Sequence, residues 1–128
     1  MRFAVGLFLI AHGLVHLLYL APRPEDDDRY PFVPEDRWSA RLLGLQPGAA
    51  KAIAGSLAVI VAVTLSIAGI ALIADASVWE PAAVVGAALS LATLLILFHR
   101  WLTIGVAIDM AILASVVWLQ VPASLFES

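Results

Sequence analysis

The chain has no cysteine and little charge, and both shortages narrow the classes of protein to which it can belong. Without cysteine, the chain acting alone forms no disulfide, thiolate zinc site, iron–sulfur cluster or thiol nucleophile. Charged residues make up 13% of its 128 residues and leave a net charge of −3. No basic stripe with interleaved aromatic residues is present, which excludes nucleic acid as a partner. Redox chemistry would require a bound cofactor, whose identity the sequence leaves unknown.

Long apolar runs dominate the sequence instead. Hydrophobic residues account for 62% of the chain, more than the core of a soluble domain needs. An apolar run of about 18 residues or more crosses the hydrocarbon core of a bilayer, which is about 30 Å thick. We therefore predict a single all-α domain over residues 1–128, an integral membrane four-helix bundle. Its predicted spans are residues 3–21, 52–74, 81–98 and 101–119.

The one long polar segment, residues 22–50, separates the first two predicted spans. Five of the seven prolines fall in it, so it cannot form one continuous helix. Between Pro34 and Gly48 we predict a short helix, because proline suits a first turn and the two acidic residues that follow suit its positive end. We expect this helix to lie on the membrane surface with Trp38 as its anchor. One of its faces carries Trp38, Arg41, Leu42 and Leu45.

Basic residues predict the orientation of the spans. Cytoplasmic loops carry an excess of lysine and arginine, whereas acidic residues have little influence. All the basic residues except Arg2 fall in the first and third loops, which predicts an inner (cytoplasmic) membrane protein with both termini outside the cytoplasm. The acidic run 25–28 is expected to be solvated. The basic residues of the two loops are Arg23, Arg29, Arg37, Arg41, Lys51 and Arg100.

Small residues recur at every fourth position on three of the predicted spans. Such ridges let helix backbones approach closely. The favoured interpretation is packing inside one bundle, and the alternative is the interface of a homo-oligomer or of a membrane-protein partner. On the fourth span the ridge points nearly opposite Asp109, because two residues turn a helix by about 200°. The ridges are Ala50, Ala54, Ala58, Ala62 and Ser66; Ala82, Gly86 and Ser90; and Ala107, Ala111 and Ser115.

Three ionisable residues within the spans are the candidates for a functional site. His12 and His16 are four residues apart, so they stack on one face of the first helix. Asp109 lies eight residues after Trp101, the first residue of the fourth span, which places it about 12 Å deep, level with His12. A lone carboxylate at that depth costs several kcal/mol, so it must be protonated, paired or hydrated and face the bundle interior. We predict a pair between His12 and Asp109.

Two hydroxyl residues on the third span fall in the same slice of the membrane. Ser90 and Thr93 lie at the depth of Asp109, and Gly86 is expected to make room beside them. The sequence thus predicts a ligand-binding pocket of His12, His16, Asp109, Ser90 and Thr93. The alternative is that Asp109 only fixes the helix register. His99 and Arg100 are expected to lie at the cytoplasmic interface, with their charge directed to the lipid headgroups.

The segment from Leu7 to Pro34, LFLIAHGLVHLLYLAPRPEDDDRYPFVP, resembles the opening of small bacterial four-helix membrane proteins of the broad DoxX-like kind. In these a Gly-x-x-His step on the first helix precedes a proline-rich loop; Gly13 and His16 carry that step here, and His12 lies outside the pattern. The run from Arg100 to Leu113 also resembles small four-helix bacterial proteins that begin with His-Gly-x-x-His. The resemblance implies the fold and, for some relatives, a membrane subunit beside a quinone-linked redox enzyme.

Three functions follow as hypotheses. The leading one is a membrane protein, not catalytic by itself, whose pocket binds a small apolar ligand, a quinone or a partner helix. The second is a metal- or haem-binding membrane enzyme, in which His12, His16, Asp109 and a water would bind zinc, and for which a haem would need axial ligands from facing helices. The third is a proton-coupled carrier that acts as an oligomer.

Overall fold

The computed structural model describes residues 1–27 and 29–118, and this part of the chain forms helices and turns without a strand. The α-helices of these residues are α1 (Arg2–Val15), α2 (Trp38–Leu43), α3 (Pro47–Ile73), α4 (Trp79–Ile96) and α5 (Thr103–Leu113). Helix α1 is followed by a 3₁₀ turn over His16–Leu20, and α5 lies between a 3₁₀ turn over Arg100–Leu102 and a π turn over Ala114–Trp118.

Within the described residues, four helical segments are long and apolar enough to cross a membrane, which confirms the predicted fold class. All four begin earlier than predicted, the first and the fourth by one residue. Helix α3 starts at Pro47 rather than at residue 52, because proline at the first helical position has a suitable φ and needs no N–H partner. Helix α4 starts at Trp79 rather than at residue 81. Residue 119, where the fourth span was predicted to end, lies outside the described residues. The segments are Arg2–Leu20, Pro47–Ile73, Trp79–Ile96 and Arg100–Trp118.

The long helices pack in the order α1, α3, α4, α5. Helices α1 and α3 approach closely where Gly6 faces Gly69, and a Cβ atom on Gly69 would overlap the backbone oxygen of Gly6. Further along α1, a Cβ atom on Gly13 would come within 2.9 Å of the Cβ atom of Leu65. Glycine at these positions therefore permits the backbone contact on which the α1–α3 interface rests.

The ridges of small residues do not all pack inside the bundle. On α3 and α4 the ridge residues Ala54, Ala58 and Ser90 are fully buried, which confirms the prediction of internal packing for these two helices. On α5 the ridge differs, because Ala107 and Ala111 are exposed. Helix α5 turns Asp109 into the interior, and the ridge lies on nearly the opposite face of the helix, as its spacing from Asp109 predicts.

The first loop contains the predicted short helix. This helix, α2, is shorter than the interval from Pro34 to Gly48 within which it was predicted. Helix α2 ends at Leu43, and the next residue, Gly44, has a positive φ of 61°, in the left-handed region that glycine adopts without strain. The Trp38 indole N–H donates to the carbonyl oxygen of Leu95 at 3.0 Å, which ties α2 to the end of α4.

Helix α2 also has an exposed apolar face, on which Leu42 is 73% exposed. The helix thus presents an apolar surface outward, and its position on a membrane surface stays a prediction. Asp28, the last residue of the acidic run, lies outside the described residues.

Candidate functional site

A buried contact between the first and last helices forms the centre of the site. The Nε2 atom of His12 lies 2.8 Å from the Oδ1 atom of Asp109. Asp109 is fully buried and His12 nearly so, which confirms the predicted pair. Helix α1 packs mainly against α3, and α5 packs mainly against α4, so this contact joins the two ends of the packing order.

Ser90 extends the contact to the second histidine. Its Oγ atom lies 2.6 Å from the Oδ2 atom of Asp109 and 3.0 Å from the Nε2 atom of His16. The other ring nitrogen of His16, Nδ1, lies 3.1 Å from the backbone oxygen of His12 and donates to it, since a carbonyl oxygen only accepts. Both nitrogens of His16 are therefore engaged. We refer to His12, Asp109, Ser90 and His16 as the polar chain.

Thr93 and Gly86 lie beside the polar chain without joining it. Thr93 is buried, but its hydroxyl donates to the carbonyl oxygen of Leu89 on its own helix at 2.8 Å, a bond that threonine in apolar surroundings often forms. A Cβ atom on Gly86 would come within 2.7 Å of the Leu65 side chain. Gly86 thus makes room for Leu65 of α3, and the expectation that it makes room for the polar residues is wrong.

The site is arranged for hydrogen bonding rather than for chelation. Among the described residues, no group of three or more His, Cys, Asp or Glu side chains is placed to hold a metal ion. His16 directs one ring nitrogen to Ser90 and the other to the backbone of His12. The structure therefore brings His12, His16 and Asp109 together, but it does not direct their donor atoms to a common point.

A cavity of about 220 Å³ lies against the two histidines of the polar chain. It is bounded by α1, by Phe32 of the first loop, by the end of α4 and by the start of α5, where Trp101 and Ile108 line it. Its remaining lining residues are aliphatic or glycine. We refer to this space as the histidine cavity.

A second cavity, of about 260 Å³, lies on the other side of the His12–Asp109 contact. Helices α1 and α5 line it from opposite sides, through residues such as Phe8 and Ile112. Ile108 lines both cavities. Helices α1 and α5 are thus joined by a polar contact that has an apolar cavity on each side.

The first loop holds a polar cavity that the sequence did not predict. The cavity, of about 260 Å³, is lined by Tyr19, Glu35, Arg23 and Lys51 among others. The Tyr19 hydroxyl and the Oε2 atom of Glu35 are buried without a hydrogen-bond partner among the described residues. No sequence pattern reveals this grouping, because it depends on how the proline-rich loop folds back onto the end of α1.

His99 has a local structural function at the turn between α4 and α5. Its Nδ1 atom accepts a hydrogen bond from the backbone N–H of Trp101 at 3.3 Å, which requires this nitrogen to be unprotonated. Burial lowers the pKa of His99 below 6.5, and the charges of Arg37 and Arg100 lower it further. The ring therefore caps the turn in its neutral form, and the expectation of a charged, lipid-directed His99 is not met.

Comparison with known proteins adds no further constraint. No protein-family model, curated protein or solved structure matches this chain. The residues of the polar chain and the two cavities beside it are therefore the basis on which a function is inferred.

Proposed function

We propose that the protein binds, within the membrane, a small and largely apolar molecule with a hydrogen-bonding head, of the quinone class. The observation that carries this proposal is the histidine cavity, in which two positioned imidazoles meet walls that are otherwise mainly apolar. Ligand sites of this kind combine hydrophobic walls with a few well-placed polar groups that fix orientation.

The polar chain holds the two imidazoles in place. Asp109 and Ser90 engage the rings of His12 and His16 from the bundle interior, which restricts their rotation. A binding group held by further hydrogen bonds loses little freedom when a ligand arrives. A molecule of the quinone class fits this arrangement, because its flat apolar ring carries oxygen atoms that accept hydrogen bonds as carbonyls and donate them, for example to an imidazole nitrogen, as hydroxyls.

The size of the cavity favours a ring rather than a complete lipid. At about 220 Å³ it is smaller than the roughly 300–1,000 Å³ of sites that enclose a drug-sized ligand. Val15 and Ile104 line the cavity and are 43% and 73% exposed, so its wall reaches the outer surface of the bundle. We propose that the head enters between α1 and α5 and that an apolar tail stays in the lipid.

The proposal places the chain in the inner (cytoplasmic) membrane, with both termini outside the cytoplasm. The four apolar segments support insertion, and the basic residues of the first and third loops support the orientation. A binding subunit of this kind matches what the DoxX-like resemblance implies, namely a membrane partner of a redox enzyme.

The test is binding of a short-chain benzoquinone to the protein in lipid nanodiscs, measured by equilibrium dialysis against empty nanodiscs. Val15→Trp fills the histidine cavity without changing the polar chain. Leu14→Trp is the matched control, because Leu14 is similarly exposed and lines neither cavity. We expect saturable binding to the wild type and to Leu14→Trp, and at least about tenfold weaker binding to Val15→Trp. Equal uptake by empty nanodiscs, or equal binding to all three proteins, would refute the proposal.

A further inference from the structure

The hydrogen-bond geometry of the polar chain determines how many protons it needs. The chain makes four contacts: His12 Nε2 to Asp109 Oδ1, Asp109 Oδ2 to Ser90 Oγ, Ser90 Oγ to His16 Nε2, and His16 Nδ1 to the His12 carbonyl oxygen. Each of them, at 2.6–3.1 Å, is a hydrogen bond that requires one hydrogen atom between its two heavy atoms. Four contacts therefore need four protons.

The protonation states usual for these side chains in water near pH 7 supply one proton too few. A neutral His12, a neutral His16 and the hydroxyl of Ser90 each contribute one, and an ionised Asp109 contributes none. One contact would then bring two lone pairs together, whichever histidine tautomer is chosen. Asp109, Ser90 and His16 are at most 1% exposed, so bulk water does not relieve this conflict.

We infer that the polar chain retains a fourth proton, which Asp109 and His16 share through Ser90. In one arrangement the proton is on the Oδ2 atom of Asp109, which donates to Ser90, while Ser90 donates to His16. In the other, Asp109 is ionised and His16 carries a proton on both ring nitrogens. All four contacts are satisfied in both arrangements, and the inference rests on these contacts rather than on quinone binding.

Moving between the two arrangements is a balanced proton transfer. The O–H bond of Asp109 breaks as a new O–H bond forms on Ser90, and the original O–H bond of Ser90 breaks as an N–H bond forms on His16. No electron is transferred and no other reactant takes part. Because His16 lines the histidine cavity, the transfer brings a proton to the wall of the proposed ligand site.

The surrounding helices contribute no competing charge. Residues 52–73 of α3 and 81–96 of α4 include no charged residue. The titratable groups at this depth on α1, on the 3₁₀ turn that follows it and on α5 are His12, His16 and Asp109 themselves. A fourth proton makes the polar chain neutral overall, whereas three protons would leave a net negative charge in an apolar interior. Charge balance therefore agrees with the proton count.

The test counts protons on the ligand-free protein in nanodiscs at pH 7. Infrared spectroscopy detects the carbonyl stretch of a protonated carboxylic acid, and ¹⁵N NMR of labelled histidine shows how many ring nitrogens of His12 and His16 carry hydrogen. Asp109→Asn identifies the Asp109 signal. In this variant the carboxamide oxygen accepts a hydrogen bond from His12, and the carboxamide N–H donates one to Ser90. The variant therefore keeps all four contacts without the shared proton.

Two results support the inference: an acid band that disappears in Asp109→Asn, or a carboxylate together with a doubly protonated His16 that becomes singly protonated in Asp109→Asn. A carboxylate together with two singly protonated histidines would overturn it, because the site would then hold three protons. Since no ligand is added, this result would leave quinone binding to be decided by its own experiment.

Discussion

The Nε2 atom of His12 and the Oδ1 atom of Asp109 lie 2.8 Å apart, although the two residues are 97 positions apart in the sequence. This contact joins the first and last helices of a bundle whose packing otherwise runs through α3 and α4. Because a cavity lies on each side of it, the contact both holds α1 to α5 and fixes the histidines that face the cavity. The stability of the bundle and the proposed binding function thus both depend on the contact between His12 and Asp109.

Two substitutions of Asp109 distinguish the contribution of its hydrogen bonds to stability from the contribution of its charge. Asp109→Leu leaves the Nε2 atom of His12 without a partner, whereas Ser90 keeps its contact with His16. We expect this variant to lower the free energy of unfolding by about 1–3 kcal/mol, which is the cost of one unsatisfied buried group. Asp109→Asn keeps a donor and an acceptor, so we expect a loss of less than about 1 kcal/mol. Chemical denaturation in detergent measures both values. Equal destabilisation by the two changes would show that the charge, and not the hydrogen bonds, holds the site.

The close approach of α1 and α3 predicts opposite effects at two glycines of one helix. In Gly69→Ala the new methyl group meets the backbone oxygen of Gly6, and we expect the free energy of unfolding to fall by about 1–3 kcal/mol. Gly48, also on α3, has open space around it, so Gly48→Ala should be neutral or stabilising by up to about 1 kcal/mol. The denaturation midpoints of the two variants measure this difference. Similar midpoints would contradict the packing described here.

The lowered pKa of His99 predicts a loss of stability in acid. The unfolded chain binds the proton near the ordinary pKa of 6.5, whereas burial and the neighbouring Arg37 and Arg100 disfavour the proton in the fold. The stabilising contribution of neutral His99 is therefore fully present above pH 6.5 and decreases as the pH falls through the lowered pKa. Denaturation midpoints of the wild type, measured as the pH is lowered from above 6.5, test this loss of stability. His99→Asn keeps an acceptor for the Trp101 N–H without titrating, so its midpoint should fall less than that of the wild type.

The absence of cysteine makes the orientation directly measurable. Single cysteines at Ser77, in the exposed turn between α3 and α4, and at Gly48, at the start of α3, mark opposite sides of the bundle. A membrane-impermeant maleimide applied to whole cells should label Ser77→Cys. It should label Gly48→Cys only after the cells are lysed. The reverse pattern would place both termini in the cytoplasm.

The spans and the central pair were accessible to sequence reasoning for simple physical reasons. A bilayer requires long apolar runs, so composition and length define the four segments with errors of a few residues. Helical rise converts sequence position into depth, which places Asp109 level with His12 before any contact is known. An ionisable residue at that depth requires a partner.

Other contacts depended on side-chain rotamers and loop paths that the sequence does not determine. Ser90 and Thr93 are three residues apart on one face of α4, yet Ser90 bridges Asp109 and His16 while Thr93 bonds to its own helix. Helical periodicity cannot distinguish these outcomes, because a hydroxyl satisfies either partner equally well. The polar cavity at Tyr19 likewise results from the path of the proline-rich loop, for which no periodic pattern exists.

The most direct test of a ligand site in the histidine cavity is native mass spectrometry of the protein gently extracted from its own membrane. We expect one small molecule of quinone type bound to the wild type and to Leu14→Trp, and its absence from Val15→Trp, in which tryptophan occupies the cavity. An empty bundle in all three proteins, or the same bound molecules in all three, would show that the histidine cavity is not a ligand site.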